Sequence, residues 1–244
     1  MRIKIIFPFL LYFLLFNTAS ASETEATESM DLQAQLQAMR EKASQSPAEK
    51  RKIMDRATEK LRRQHLGRSA PKVGDTFPDL TLSNSHGKKI TLSQELKKGP
   101  VVISFYRGAW CPYCNLQLHA YQKRLPEIRA KGAQLIAITP EKPDLTAKMQ
   151  NEKKYEFTVL TDPKNHLAKK LGLAFKLPNN LKKLYLTFGI NLEKSQGNAS
   201  WELPVPATFV IDKSSKVLFS YIDVDYKQRA DINKILDVLD LNLK

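Results

Sequence analysis

The sequence predicts an α/β protein: a sandwich with a mixed central sheet, preceded by an N-terminal helical extension. Three observations support this class. Short apolar runs rich in β-branched residues, at 101–106 and 133–139, are typical of strands buried on both faces. Segments with apolar residues at every third or fourth position, typical of amphipathic helices, lie between such runs. A pair of strands at 209–219 then precedes a terminal helix, and this alternation indicates an α/β fold.

The first 21 residues have the pattern of a secretory signal peptide. Arg2 and Lys4 give a basic start, an apolar run follows over 5–16, and 19–21 read Ala-Ser-Ala, so we expect cleavage before Ser22. The run is shorter than the roughly 20 residues that a membrane-spanning helix needs. We therefore expect an exported protein, periplasmic or secreted, without a membrane span after cleavage; the alternative is an uncleaved anchor.

Residues 22–70 are predicted to form a helical extension of two helices. Leu32, Leu36 and Met39 fall on one helical face, and 53–61 carry apolar residues at the same spacing. Ser46-Pro47 is the expected break between the helices. The extension is expected to pack against the main domain, although an oligomerisation arm is the other interpretation.

The main domain is predicted to occupy 71–244. Its expected strands form a hairpin at 80–92, single strands at 101–106, 133–139 and 157–160, and a second hairpin at 209–219. Its expected helices lie at 114–125 and 232–239. Pro126 is expected to end or kink the first of these helices, because proline lacks the N–H that a helix interior needs.

Composition and charge exclude several classes of protein. The chain has 9 glycines and neither a GxGxxG nor a GxxxxGK[ST] loop, which argues against dinucleotide and phosphate-loop enzymes, and we expect no cofactor. The net charge of +14 falls to +12 when Arg2 and Lys4 are removed. The lysines form scattered pairs that are not interleaved with aromatic residues, so we expect a solvated basic surface and no nucleic-acid partner.

The residues with reactive chemistry are the two cysteines of Cys111-Pro112-Tyr113-Cys114, between a predicted strand and a predicted helix. Pro112 suits the first helical position, which places Cys111 at the helix N-terminus, where the helix dipole favours a thiolate. Arg107 is the nearest cation in the sequence and is a candidate stabiliser of that thiolate. Cys114 lies one turn further on and can attack whatever bonds to Cys111, which would close a disulfide.

Two other interpretations of the pair are weaker. A structural disulfide here would close a very short loop and contribute little to stability. A metal site lacks a second Cys-x-x-Cys motif: His119 could supply a third ligand, but no fourth is evident, so we expect no metal. A Cys-x-x-Cys pair at a strand-to-helix junction favours redox chemistry.

Three segments, 105–116, 201–212 and 223–229, resemble the peroxiredoxin-like branch of the AhpC/TSA (alkyl hydroperoxide reductase and thiol-specific antioxidant) family. The resemblance extends over roughly 71–241. It implies a thioredoxin-like fold in which Pro206 is a cis-proline facing the cysteine pair, and Trp110 is expected to shield Cys111. Two residues depart from the family pattern: Gly108 stands three residues before Cys111 in place of Thr or Ser, and Pro206 stands where an arginine is typical.

The resemblance also implies roles for the cysteines. Cys111 would be the peroxidatic cysteine, an accessible thiolate of low pKa that becomes a sulfenic acid. Cys114 would be the resolving cysteine, giving a redox disulfide Cys111–Cys114 that a thioredoxin-like partner reduces. The substrates would be hydrogen peroxide and organic hydroperoxides.

Two other functions remain open from the sequence. Cys-Pro-Tyr-Cys is also the glutaredoxin pair, so the chain could be an exported thiol–disulfide oxidoreductase that acts on protein cysteines. A non-catalytic binding protein that uses its basic surface is a third possibility, against which the intact cysteine pair argues. The sequence predicts no particular oligomeric state.

Overall fold

A computed structural model describes residues 31–241 of the 244-residue chain. The predicted signal peptide, residues 1–21, and the first residues of the predicted extension lie outside the described residues. Within 31–241, no helix is both long and apolar enough to cross a membrane.

The described residues form ten α-helices and nine strands. The helices are α1 Leu32–Ser44, α2 Ala48–Arg63, α3 Leu92–Leu96, α4 Pro112–Lys123, α5 Leu125–Ala130, α6 Pro143–Lys153, α7 His166–Lys170, α8 Asn179–Thr187, α9 Leu192–Gln196 and α10 Ile232–Leu241. The strands are β1 Thr81–Asn84, β2 Lys89–Thr91, β3 Val101–Phe105, β4 Gln134–Thr139, β5 Thr158–Thr161, β6 Ala174–Lys176, β7 Glu202–Pro204, β8 Ala207–Ile211 and β9 Val217–Ile222.

Seven strands form one mixed sheet in the order β2-β1-β5-β4-β3-β8-β9. Its centre is parallel, with β3 beside β4 and β4 beside β5, whereas the other neighbours are antiparallel. The register places Phe105, at the end of β3, opposite Ile138 on β4 and Ala207 on β8. The carboxyl ends of the central strands therefore lie at one edge of the sheet, and the cysteine motif follows β3 at that edge.

The alternation of side chains along β3 divides the interior into two layers. Val102 faces a layer formed with α1, α4, α5 and α10, and this layer contains both cysteines. Val101, Ile103 and Phe105 face the opposite layer, formed with α3 and α7. The apolar run that predicted a strand buried on both faces is fully buried, as expected.

The helical extension packs against the main domain. Leu32 and Leu36 of α1 are buried in the same layer as the cysteines, and α1 lies on α4. Residues of α2 pack against α8, Trp201 and Leu203. The extension is thus part of the folded unit and covers the helix that carries the cysteines.

The predicted elements match the structure best in the centre of the sheet and differ at some ends. Leu92 was expected in a strand but begins α3. Pro126 ends one helix and lies in the first turn of the next, because a proline there costs no hydrogen bond. The two-stranded sheet of β6 and β7 and the helices α6 to α9 were not predicted.

Candidate active site

The Cys-Pro-Tyr-Cys segment begins α4 after β3, with Cys111 as the N-cap residue and Pro112 as the first helical residue. Two hydrogen bonds shape the connecting loop. The N–H of Cys111 donates to the carbonyl of Gly108 at 3.1 Å, and the side-chain amide of Asn115 donates to the carbonyl of Ala109 at 2.8 Å. The cysteine pair is therefore held in a defined position at the strand-to-helix junction.

Glu141 supports the same loop from the neighbouring strand. It follows β4, which runs parallel to β3, and its Oε2 accepts the N–H of Ala109 at 2.7 Å. A Cβ on Gly108 would come within 2.9 Å of the Glu141 carboxyl, and the φ of Gly108 is +152°. Only glycine fits between the loop and this carboxyl, which accounts for Gly108 in place of a larger residue.

Both cysteines are free thiols in this structure, and both are buried: Cys111 is 1% exposed and Cys114 is 0% exposed. They belong to the layer that contains Leu32 and Leu36 of α1 and Ala230, which precedes α10. The expectation of an accessible thiol is therefore wrong. The reason is the packing of α1 over α4, a contact between distant segments that the local pattern does not reveal.

Cys114 is surrounded by groups that stabilise a thiolate. Nη2 of Arg229 donates to its Sγ at 3.3 Å, and the Cys111 S–H and the main-chain N–H of Arg107 also donate to it. Burial raises the pKa of the Cys114 thiol, but these donors and the two guanidinium charges outweigh burial and hold the pKa well below its usual range. The contacts of the pair therefore favour Cys114 as its ionised member.

The surroundings of Cys111 favour its protonated form. Burial raises the pKa of its thiol well above the usual value, and the hydrogen bond that it donates to Cys114 raises it further, while Arg107 and Arg229 act in the opposite direction. As the N-cap residue it makes no side-chain hydrogen bond to the helix N–H groups. The contacts of the pair favour Cys114 as the thiolate, whereas the helix terminus had led us to expect Cys111.

Arg107 lies inside a group of aromatic rings beside the pair. Its guanidinium carbon is 5.0 Å from the ring centroid of Trp110 and 4.4 Å from that of Tyr226, and its Nη2 donates to the hydroxyl of Tyr185. The side chain is 3% exposed. Despite burial, which acts to lower it, the pKa of Arg107 is raised by Tyr185 and the two cysteines, so the guanidinium stays charged. Trp110 and Arg107, both predicted site residues, are thus in contact beside the thiols.

Pro206 does not have the predicted conformation. Residues 31–241 contain no cis peptide bond, so the prediction of a cis-proline is wrong. Pro206 lies in a short link from β7 to β8, where the chain crosses from the small sheet to the main one, and trans is the favoured isomer of such a bond. Pro206 instead lines a narrow cavity of about 20 Å³ together with Arg107, Tyr185 and Tyr226.

His119 is exposed on α4, whereas both thiols are buried. The structure therefore does not bring this histidine to the cysteine pair. In the part of the chain that the structure describes, no three His, Cys, Asp or Glu side chains are grouped so that they could hold a metal ion.

Glu141 leads to a prediction about stability. Burial raises the pKa of its carboxyl from 4.5 to about 7, against the opposing effect of the Ala109 hydrogen bond. The neutral form is therefore favoured in the folded state, and stability is lost as the pH rises from the unfolded-state pKa through the folded-state pKa. The free energy of unfolding of the wild type, relative to Glu141→Gln, should fall by roughly 3 kcal/mol between about pH 4 and pH 8.

Urea unfolding of the two reduced proteins at several pH values measures this difference directly. Glu152→Gln, which removes an exposed carboxylate from α6, serves as the control and should show no comparable pH dependence. A wild-type stability that stays parallel to that of Glu141→Gln across the range would contradict the prediction.

The chain matches the model of the AhpC/TSA family over residues 73–220, which is more than half of its length. It belongs to the AhpC/TSA family. Among the relatives of this AhpC/TSA protein, a putative chloroplastic peroxiredoxin Q of Oryza sativa subsp. indica is 27% identical over 168 residues, covering 68% of this chain and 65% of its own length. The thiol–disulfide oxidoreductase ResA of Bacillus thuringiensis is 24% identical, covering 65% of this chain and 75% of its own length.

The crystal structure of peroxidoxin BcpB from Mycobacterium tuberculosis aligns with this AhpC/TSA chain at a TM-score of 0.55 and 24% identity, over 70% of this chain and 97% of that one. The thioredoxin-like fold is therefore confirmed. The match with the rice relative spans slightly less than two thirds of that protein.

Sequence reasoning missed three residues of this AhpC/TSA site: Glu141, Tyr185 and Arg229. Each reaches the cysteine loop from a segment distant in the sequence. Arg229 lies within the segment 223–229 whose resemblance to the family was noted, and this was the only signal that pointed to it.

Proposed function

We propose that this protein is a thiol-dependent peroxidase that reduces hydrogen peroxide and organic hydroperoxides through the Cys111–Cys114 pair. The observation that carries the proposal is a buried pair of cysteines in hydrogen-bonding contact, one of which also accepts a hydrogen bond from the guanidinium of Arg229. A thiolate is the reactive form of cysteine, and a neighbouring thiol can convert the oxidised sulfur to a disulfide. A peroxide needs a much smaller opening than a protein to reach such a site.

Membership of the AhpC/TSA family supports the proposal, and so do the relatives named peroxiredoxin and peroxidoxin. Arg107 and Arg229 supply two buried positive charges beside the pair. Such charges stabilise negative charge that develops on the peroxide oxygens as well as the attacking thiolate. The peroxide-binding role that the family pattern gives to other residues would thus fall to these two arginines.

Thiol–disulfide exchange with protein cysteines is the alternative, and the similarity to ResA favours it. Burial of the pair argues against it, because a protein disulfide must approach the attacking sulfur directly. With Cys111 at 1% and Cys114 at 0% exposure, a macromolecular partner cannot make that approach while α1 lies on α4. The alternative therefore requires a larger opening than a peroxide does.

We propose further that a thioredoxin-like protein reduces the disulfide. This step is itself an exchange between protein thiols, so it requires the cover over the pair to open after oxidation. Loss of the hydrogen bond between Cys111 and Cys114 and of the thiolate contact to Arg229 would weaken the closed arrangement at that stage.

The test is the rate at which the fully reduced protein reacts with hydrogen peroxide, followed as loss of two hydrogen atoms by intact mass. The expected rate constant exceeds that of free cysteine at the same pH by at least about 100-fold, which corresponds to about 2.7 kcal/mol of barrier. A rate no higher than that of free cysteine would refute the peroxidase.

We also propose that the mature protein acts outside the cytoplasm, because its first 21 residues have the pattern of a signal peptide. Determination of the N-terminal residue of the protein purified from its native cells tests this. Ser22 is the expected first residue, and an intact Met1 would contradict cleavage.

A further inference from the structure

The two thiols of the pair differ in what contacts them. The sulfur of Cys114 accepts hydrogen bonds from Arg229 Nη2, from the main-chain N–H of Arg107 and from the thiol of Cys111. Cys111 is the donor in the contact between the two, and its side chain accepts no hydrogen bond from the helix N-terminus. The helix dipole was the reason to expect the thiolate at Cys111, but the Cys111 side chain makes no hydrogen bond to the N–H groups at the helix N-terminus.

Arg229 is fixed in place before any substrate arrives. Its Nη1 donates to the carbonyl of Gln228 at 2.6 Å and to that of Tyr226, and the side chain is 3% exposed. Its own carbonyl accepts the side-chain amide of Gln33 on α1 at 3.4 Å. A guanidinium held in this way stabilises a thiolate without reorganising during the reaction.

We propose that Cys114 is the sulfur that attacks the peroxide and that Cys111 is the resolving thiol, the reverse of the order expected from the sequence. Arg229 and the main-chain N–H of Arg107 act as the stabilising partners of the nucleophile. This assignment rests on the proposed peroxidase function, and it specifies which sulfur reacts.

The two steps balance as follows. The Cys114 thiolate attacks one peroxide oxygen, the S–O bond forms, the O–O bond breaks, and the leaving hydroxide or alkoxide takes up a proton from solvent to become water or an alcohol. The sulfur loses two electrons to the peroxide. The Cys111 sulfur then attacks the Cys114 sulfenic acid, the S–S bond forms, and the S–O bond breaks, so that the hydroxide leaves as water with the proton of the Cys111 thiol.

Both steps suit the geometry of the pair. The side chains of Cys111 and Cys114 are in hydrogen-bonding contact, so the resolving sulfur lies next to the sulfur that becomes oxidised. Burial disfavours a charge on either sulfur, but only Cys114 accepts the hydrogen bond from Nη2 of Arg229, and the opposite order would leave this stabilisation unused.

The experiment compares Cys111→Ser with Cys114→Ser in full-length mature protein. Each reduced variant is treated with hydrogen peroxide in the presence of a cyclic 1,3-diketone that captures sulfenic acid, and the adduct is followed by intact mass. Cys111→Ser should form the adduct at least about tenfold faster than Cys114→Ser. A smaller difference, or a faster reaction of Cys114→Ser, would overturn the assignment.

A second measurement needs no substitution and so does not depend on how the variants fold. The wild type is treated with excess peroxide, and the position of the irreversible sulfinic acid is located by fragmentation of the peptide 108–123, which contains both cysteines. Sulfinic acid on Cys114 supports the proposal, and sulfinic acid on Cys111 overturns it. These results can be told apart from failure of the proposed peroxidase function. If that function is absent, the wild type reacts with peroxide no faster than free cysteine, whichever sulfur is oxidised.

Discussion

Replacing Arg229 with glutamine should slow the reaction of the reduced protein with hydrogen peroxide by about 100-fold near neutral pH. The reason is the hydrogen bond from Nη2 to the Cys114 sulfur at 3.3 Å, in a site where both residues are buried. A hydrogen bond to a charged group contributes about 1.5–3 kcal/mol, and its loss raises the pKa of the thiol as well as the barrier. The measurement is the second-order rate constant between about pH 5 and 9, where the profile of Arg229→Gln should move to higher pH.

Two further variants separate this effect from a general loss of charge. Arg229→Lys keeps the positive charge and should recover part of the rate. Arg129→Gln removes an exposed arginine that pairs with Glu156 and should leave the rate unchanged. If Arg229→Gln, folded as judged by circular dichroism, reacted within about threefold of the wild type, Arg229 would not stabilise the reacting thiolate.

Replacing Leu36 with alanine should open the site to large reagents. Leu36 of α1 is 0% exposed in the layer that contains the cysteines, and truncating a buried leucine costs about 2–5 kcal/mol. The polar contacts of α1 with the site are few and long, such as the bond from the Tyr113 hydroxyl to the carbonyl of Met39 at 3.4 Å. Weakened packing would therefore favour local opening of α1, and a 2 kcal/mol loss raises the open population by roughly 30-fold.

The measurement is the rate at which a polymer-linked maleimide labels the reduced thiols. Leu36→Ala should label at least about tenfold faster than the wild type, and its rate with hydrogen peroxide should change much less, because a small molecule needs a much smaller opening than a polymer. Gln37→Ala, on the exposed side of α1, is the matched control and should behave as the wild type. Equal labelling of Leu36→Ala and the wild type would mean that α1 is not the barrier.

Local sequence patterns predicted the parts of the site that depend on local chemistry. The apolar run Val101–Phe105 predicted a central strand, and Pro112 predicted the start of the helix that follows the loop. The fold class follows from the same kind of pattern, since side-chain periodicity and proline positions act over a few residues. Leu32 and Leu36 also predicted the helix that proves to cover the cysteines.

The distribution of charge within the pair could not be predicted in this way. The sulfur of Cys114 is stabilised by Arg229, which is 115 residues away in the sequence, and Glu141 reaches the loop from the end of a neighbouring strand. These contacts depend on which elements become neighbours in space. The helix-terminus argument favoured Cys111 because it used only local geometry, whereas the hydrogen bond from Arg229 favours Cys114.

The buried pair should react with a small peroxide in preference to a protein disulfide. The most direct test offers the reduced protein hydrogen peroxide and an oxidised protein with one exposed disulfide, at equal concentrations in the same solution. Mass spectrometry then follows both the peroxide-dependent oxidation and the disulfide of the second protein. We expect the peroxide to be consumed while that disulfide stays intact; reduction of the disulfide with the peroxide left over would contradict the peroxidase and identify a thiol–disulfide oxidoreductase.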